Sequence, residues 1–307
     1  MSLTEEKLKQ LLTSTGSFMN HVHWVQQDFG VKPIKKHHLS CINYIDLQEY
    51  RDEFCSELVN TIPEWIYSSR KFDKILADMI ENEGRSKSNA NSALITETRK
   101  KFRTSATDDL IIQGQFGELI LFNLLQVFFQ AVPLIRKMPL TTSANMERYG
   151  ADAIHYNYFS GKHIIYIGEA KAYTSKYQFS TAFGAAVESI LENFQNHRRE
   201  LGLYTYDDFL DDDLVPIAKN YKNGKLNPVE IHLVSIIIYH ETTALARLKE
   251  SEIKAKILEI VQSKAAKIEE KIYDKIDPGI LPRLNYIFFP IWEMDLLLKR
   301  FQSLIAV

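Results

Sequence analysis

The run Gly150-Ala151-Asp152-Ala153-Ile154-His155-Tyr156-Asn157-Tyr158-Phe159-Ser160-Gly161-Lys162-His163-Ile164-Ile165-Tyr166-Ile167-Gly168-Glu169-Ala170-Lys171 decides how this chain folds. Gly150 to Phe159 alternates well enough for a strand, and Ser160-Gly161 has hairpin-turn chemistry. Lys162 to Lys171 is then a second strand, rich in Ile and Tyr. Side chains alternate with period two, so Ile164, Tyr166 and Ala170 take one face while Ile165, Ile167, Glu169 and Lys171 take the other. Both faces begin apolar, which predicts a central strand covered on both sides, with Glu169 and Lys171 emerging side by side near its C-terminal end. The hairpin folds Asp152 back toward that same end.

Periodicity extends the picture in both directions. Upstream, Thr107-Asp108-Asp109 starts a helix in which Phe116, Leu119, Ile120, Phe122, Leu125 and Phe129 recur at helical spacing until Pro133 ends it. Downstream, Ser180 to Glu200 is a helix whose stripe of Phe183, Val187, Ile190, Leu191 and Phe194 reads as core packing rather than a ligand box. Val229 to Tyr239 is a strongly apolar strand, Ala244 to Lys275 is charged and helical, and Leu284 to Phe289 is a last strand before a C-terminal helix. The fold class expected is α/β, a mixed β-sheet flanked by helices. Residues 1–105 mix short apolar runs with polar ones, and 81–92 reads as an exposed loop or weak boundary. The expected organisation is an N-terminal accessory α/β extension over 1–105 packed on a core domain over 106–307.

Composition narrows the function classes. Of 307 residues, 45% are hydrophobic and 25% charged, with Phe 17 and Tyr 15, which supports a sizeable core rather than a disordered chain. Cys41 and Cys55 lack neighbours at zinc-ligand spacing, so neither a disulfide framework nor a structural zinc is indicated, and a reducing cytoplasm fits. The opening MSLTEEKLKQLL has no apolar signal region and no stretch reaches ~18 apolar residues, so a soluble cytoplasmic protein without a membrane partner is expected. A net charge of −2 does not announce a nucleic-acid binder. Positive charge still gathers locally at Arg99-Lys100-Lys101-Phe102-Arg103, His197-Arg198-Arg199 and Lys35-Lys36-His37-His38, and negative charge over 207–213.

Two carboxylates and an amine at one strand end suit phosphodiester hydrolysis. Mg²⁺ is usually held by one or two carboxylates plus waters and substrate oxygens, and it activates water beside the scissile phosphate. Asp152 and Glu169 can supply the carboxylates, the Ala170 carbonyl a further ligand, and Lys171 a point charge that orients water or offsets developing negative charge. A lone Glu-x-Lys triplet would equally describe a structural ion pair; its place at the end of an apolar strand is what points to chemistry. Glu118 either lines the site or lies on a solvated helix edge. His155 and His163 read as ordinary hydrogen-bonded strand residues. Lys176, Gln178 and the basic run around Lys101 are either phosphate contacts or solvated charge.

Gly168-Glu169-Ala170-Lys171, with Gly150-Ala151-Asp152 before it, resembles the PD-(D/E)xK nuclease motif. Gly150-Ala151-Asp152 stands where that superfamily has a proline-aspartate pair, and the missing proline removes no chemical group. Gly117-Glu118 resembles the additional acidic metal ligand of some members. Together with Gly114-Gln115-Phe116, Tyr149-Gly150 and Phe183-Gly184-Ala185, these motifs resemble the HamA family, the nuclease component of Hachiman antiphage defence, most sharply over 110–200. The resemblance implies a restriction-endonuclease-like core and a Mg²⁺-dependent DNA nuclease, Mn²⁺ substituting. Its catalytic residues would be Asp152, Glu169, Lys171 and Glu118, and its metal ligands Asp152, Glu169, Ala170 and Glu118. It also implies a superfamily 2 helicase partner, HamB, that restrains the nuclease until invading or damaged DNA is sensed. Two alternatives stay open on the same residues: a non-cleaving DNA- or helicase-binding regulatory subunit, and an RNA-directed nuclease.

Overall fold

A computed structural model describes the chain except residues 1–3, 14–15, 46–47, 102–108, 137–150, 175–178, 205–211, 246–247 and 307. Two short helices, α1 (Glu5–Leu11) and α2 (Gly16–Asn20), lead into an antiparallel pair, β1 (Val22–Asp28) and β2 (Lys36–Ile42). A small ribbon of β3 (Tyr44–Ile45) and β4 (Gln48–Glu49) precedes four helices: α3 (Arg51–Asn60), α4 (Ile62–Ile66), α5 (Ser69–Glu81) and α6 (Lys87–Lys100). The long α7 (Asp109–Phe129) is followed by β5 (Val132–Ile135), β6 (Ala153–Phe159), β7 (Lys162–Tyr173) and α8 (Phe179–Tyr204). Then come α9 (Val215–Lys222), β8 (Val229–Glu241), α10 (Glu250–Ala265), β9 (Leu284–Trp292) and α11 (Met294–Ile305).

Seven strands form one sheet in the order β1-β2-β9-β8-β7-β6-β5. The inner strands β2, β9, β8 and β7 are mutually parallel, whereas β1, β6 and β5 add antiparallel pairs at the two sides. Helices cover both faces, so the expected α/β class with a mixed sheet is what the structure shows. On one face Ile165, Ile167, Leu233, Ile237 and Phe288 pack with Phe183 and Ile190 of α8 and Ile257 of α10. On the other, Tyr166, Val234, Ile236 and Phe289 pack with Leu121 and Leu125 of α7, Phe54 of α3 and Phe301 of α11.

The hairpin forms as its letters predict. Ser160 and Gly161 both have positive φ, 50° and 77°, the twist a two-residue turn needs, and Phe159 pairs with Lys162 directly beyond it. Gly168 answers a different need. A Cβ there would lie 3.0 Å from Leu121, 3.1 Å from Leu125 and 3.2 Å from Ala153, so only glycine lets α7 settle this closely on β7.

Four expectations change on contact with the structure. Pro133 does more than follow a helix: it sits inside β5, an edge strand where a residue without an N–H is tolerated. The loop expected over 81–92 narrows to 82–86, because Ser86 caps α6 by accepting the Asn89 N–H. The helix expected over 244–275 is confined to α10, with a 3₁₀ turn at Glu270–Tyr273. The Lys35-Lys36-His37-His38 run is not a basic surface, since His37 and His38 are buried in β2 and burial pushes both imidazoles down to about 4, leaving them neutral at pH 7. The N-terminal strands enter the same sheet as the rest through β2 and β9; the boundary at 105/106 lies outside the described residues. Cys41 and Cys55 are both buried free thiols. Among the described residues, no helix is long and apolar enough to cross a membrane.

Candidate active site

The β6–β7 register fixes the site. Ala153 pairs with Gly168, so Asp152, the residue just before β6, comes level with Glu169 on the neighbouring strand. Asp152 Oδ2 accepts the Ala170 N–H at 2.7 Å. A strand residue points its N–H and C=O to the same side, so the Ala170 carbonyl also projects toward Asp152 rather than toward β8.

Glu169 and Lys171 share the face of β7 covered by α8. The Lys171 ammonium lies 2.7 Å from Glu169 Oε1. Ser189 Oγ donates to the same oxygen at 2.6 Å, and Asn193 Nδ2 donates to Oε2 at 2.5 Å. Glu169 is only 4% exposed, yet its charge is offset by an ammonium and two neutral donors, the condition under which a buried carboxylate is tolerated. Lys171 is the more open partner. Burial alone would lower its pKa, but the nearby charges of Glu169 and Asp152 outweigh it and hold the ammonium above the ordinary lysine value.

Glu118 comes from the opposite layer. Its neighbour Gly117 faces Ala170, with the glycine's Cβ position 3.4 Å from the alanine's, so α7 crosses β7 at the height of the site while Glu169 and Lys171 look away from it. Glu118 itself is half-buried. The structure therefore brings Asp152, Glu169 and Lys171 together and places Glu118 behind the same segment of strand.

Ser189 and Asn193 are the site residues that sequence reasoning missed. They lie four positions apart on α8, on the side whose apolar stripe was read as core packing. A buried Asn inside such a stripe was the available signal, because a buried amide needs a partner. The other candidates fall away from the site. His155 is fully buried and donates from Nδ1 to the Ala131 carbonyl at 3.0 Å, and His163 shares a hydrogen bond of 2.7 Å with the Tyr156 hydroxyl. His197 packs against Tyr221 inside the core, which removes it from any basic patch. Of the aspartate-rich segment, Asp212 pairs with Arg70 at 3.1 Å, and 207–211 lie outside the described residues. Gly150, Lys176, Gln178, Phe102 and Arg103 also lie outside them.

Among the described residues, no three His, Cys, Asp or Glu side chains are grouped closely enough to enclose an ion. Asp152 and Glu169, level with each other on neighbouring strands, still supply two carboxylates, which suits a hard cation that keeps most of its own waters, as Mg²⁺ ordinarily does.

A seven-stranded mixed sheet between helical layers, with acidic residues and a lysine at the end of one of its inner strands, defines an α/β protein. No curated protein matches the chain. The chain belongs to the HamA family, whose model matches residues 19–305, and it is thereby a protein of the Hachiman antiphage system.

Proposed function

We propose that this chain is a Mg²⁺-dependent DNA nuclease, with Mn²⁺ as a substitute, acting as the effector of antiphage defence under the control of a partner helicase, HamB. The observation that carries the reading is the meeting of Asp152, Glu169 and Lys171 at one strand end. Bound there, Mg²⁺ would supply an activated water and a counter-charge for the phosphate. Asp152 and Glu169 would hold it, the Ala170 carbonyl would add a neutral oxygen from the same edge, and Glu118 would assist from α7. Lys171, once released from Glu169, would place its ammonium beside the attacking water or the phosphoryl oxygens. A fixed positive charge in a partly dehydrated site stabilises a transition state without reorganising.

The overall charge of −2 supports dependence on a partner to engage DNA, because the chain carries no general excess of cations to release counterions. The test is cleavage of plasmid and linear DNA, with matched RNA alongside, by the purified protein alone and with its helicase, in Mg²⁺ or in chelator. Metal-dependent cleavage that disappears in Lys171→Ala is expected. Absence of cleavage under every condition would leave a non-cleaving regulatory subunit, and preference for RNA would reassign the substrate.

A further inference from the structure

Glu169 is held from behind by two neutral donors that nothing in a bare Asp, Glu and Lys site requires. Ser189 Oγ reaches Oε1 at 2.6 Å and Asn193 Nδ2 reaches Oε2 at 2.5 Å, both from the same face of α8. Four residues make about one helical turn, so the two side chains form a fork whose spacing matches the two oxygens of one carboxylate. Within a helix a serine ordinarily turns back onto the carbonyl four residues earlier or faces solvent. Ser189 does neither and crosses to the sheet instead.

The choice of donors is informative. Had the fold needed only to bury Glu169, a cation would offset its charge most directly, and Lys171 already touches Oε1. A hydroxyl and an amide fix the carboxylate's orientation while leaving its full negative charge for something else. Asn193, which is buried, occupies its core side; Ser189 is half-buried, and Lys171 is the more exposed of the two β7 side chains. A carboxylate offers about four lone-pair directions, so a cation entering from the Asp152 side needs to displace only Lys171 from Glu169, with both α8 donors kept in place.

We infer that Ser189 and Asn193 are positioning residues, which aim the Glu169 carboxylate at a divalent cation shared with Asp152. The inference rests on the proposed metal site and names the two side chains outside it that set its affinity. Partners that orient a metal-ligating carboxylate typically contribute about 10- to 100-fold in metal affinity.

Calorimetric titration of Mn²⁺ into the intact protein, with no DNA present, tests this directly. Wild type is expected to bind Mn²⁺ and Glu169→Gln to lose binding. Ser189→Ala and the near-isosteric Asn193→Leu should each weaken binding about 10- to 100-fold, with circular dichroism spectra unchanged and DNA cleavage recovered by raising Mn²⁺. Ser189→Thr, which restores the hydroxyl, should restore affinity. Wild-type affinity in both Ser189→Ala and Asn193→Leu overturns the inference while leaving the metal site standing. Loss of the metal site itself, seen as equal binding by wild type and Glu169→Gln, overturns both. Should Asn193→Leu fail to fold, Ser189→Ala and its threonine rescue decide the matter alone.

Discussion

Asp152 Oδ2 accepts the backbone N–H of Ala170 at 2.7 Å, and Ala170 is the residue between Glu169 and Lys171. One carboxylate oxygen of Asp152 is thus tied to the peptide group that joins Glu169 to Ala170, which fixes its place beside the end of β7. Asparagine at this position keeps the acceptor and loses the charge. Asp152→Asn is expected to keep its fold while Mn²⁺ affinity falls at least about tenfold. Asp152→Ala also strands the Ala170 N–H and should lose about 1–3 kcal/mol of stability in urea melts. Equal stability of the two variants would show that the clamp contributes nothing.

Lys171 bears on alkaline stability. Its pKa is raised in the folded protein because Glu169 and Asp152 outweigh the lowering by burial. The stability it contributes is therefore fully present below the ordinary lysine value of 10.5 and is lost as pH climbs through the raised folded value. Lys171→Met is expected to flatten that alkaline loss in melting temperatures taken from pH 8 upward. The same variant should cut DNA about 10²- to 10³-fold more slowly, the usual effect of removing one fixed charge-stabilising donor.

At the acid end the buried histidines contribute. Burial holds His155 down to about 3 and His37 and His38 to about 4, against 6.5 for a free imidazole. An unfolded chain takes up these protons below 6.5 and the folded chain does not. The stability gained from neutral imidazoles is accordingly present above 6.5 and drains away as pH falls toward the folded values. His155→Asn, able to donate to the Ala131 carbonyl, should reduce the stability difference between pH 6.5 and 5 by about 2 kcal/mol. An unchanged slope in denaturant titrations at the two pH values would refute this.

Gly168 permits the close approach of α7 to β7. Gly168→Val must push Leu121 and Leu125 outward, and overpacking of this kind costs about 1–3 kcal/mol. The displaced strand also carries Glu169, so Mn²⁺ affinity should drop along with the melting temperature. A destabilised Gly168→Val with wild-type metal affinity would separate core packing from the site.

The hairpin, β8 and the helices flanking them were legible because each buries a face of regular period, and the alternation in 162–171 placed Glu169 and Lys171 on one side. β5 was not, since Pro133 in a short run signals a helix end more strongly than an edge strand. Nor did the letters reveal that β2 pairs with β9, because parallel partners are chosen by tertiary packing and carry no local signature. Asp152, Glu169 and Lys171 stood out by spacing, whereas Ser189 and Asn193 did not. A polar residue on a helix shows its purpose only once its partner across the sheet is known.

β9 lies inside the sheet, between β2 and β8, and its Ile287 pairs with His38. A strand at Lys36–Ile42 thus waits for one at Leu284–Trp292. During synthesis the β8 edge stays open until β9 leaves the ribosome, and pairings so distant in sequence form slowly. A chain that stops short of β9 therefore leaves the facing edges of β2 and β8 without their shared partner.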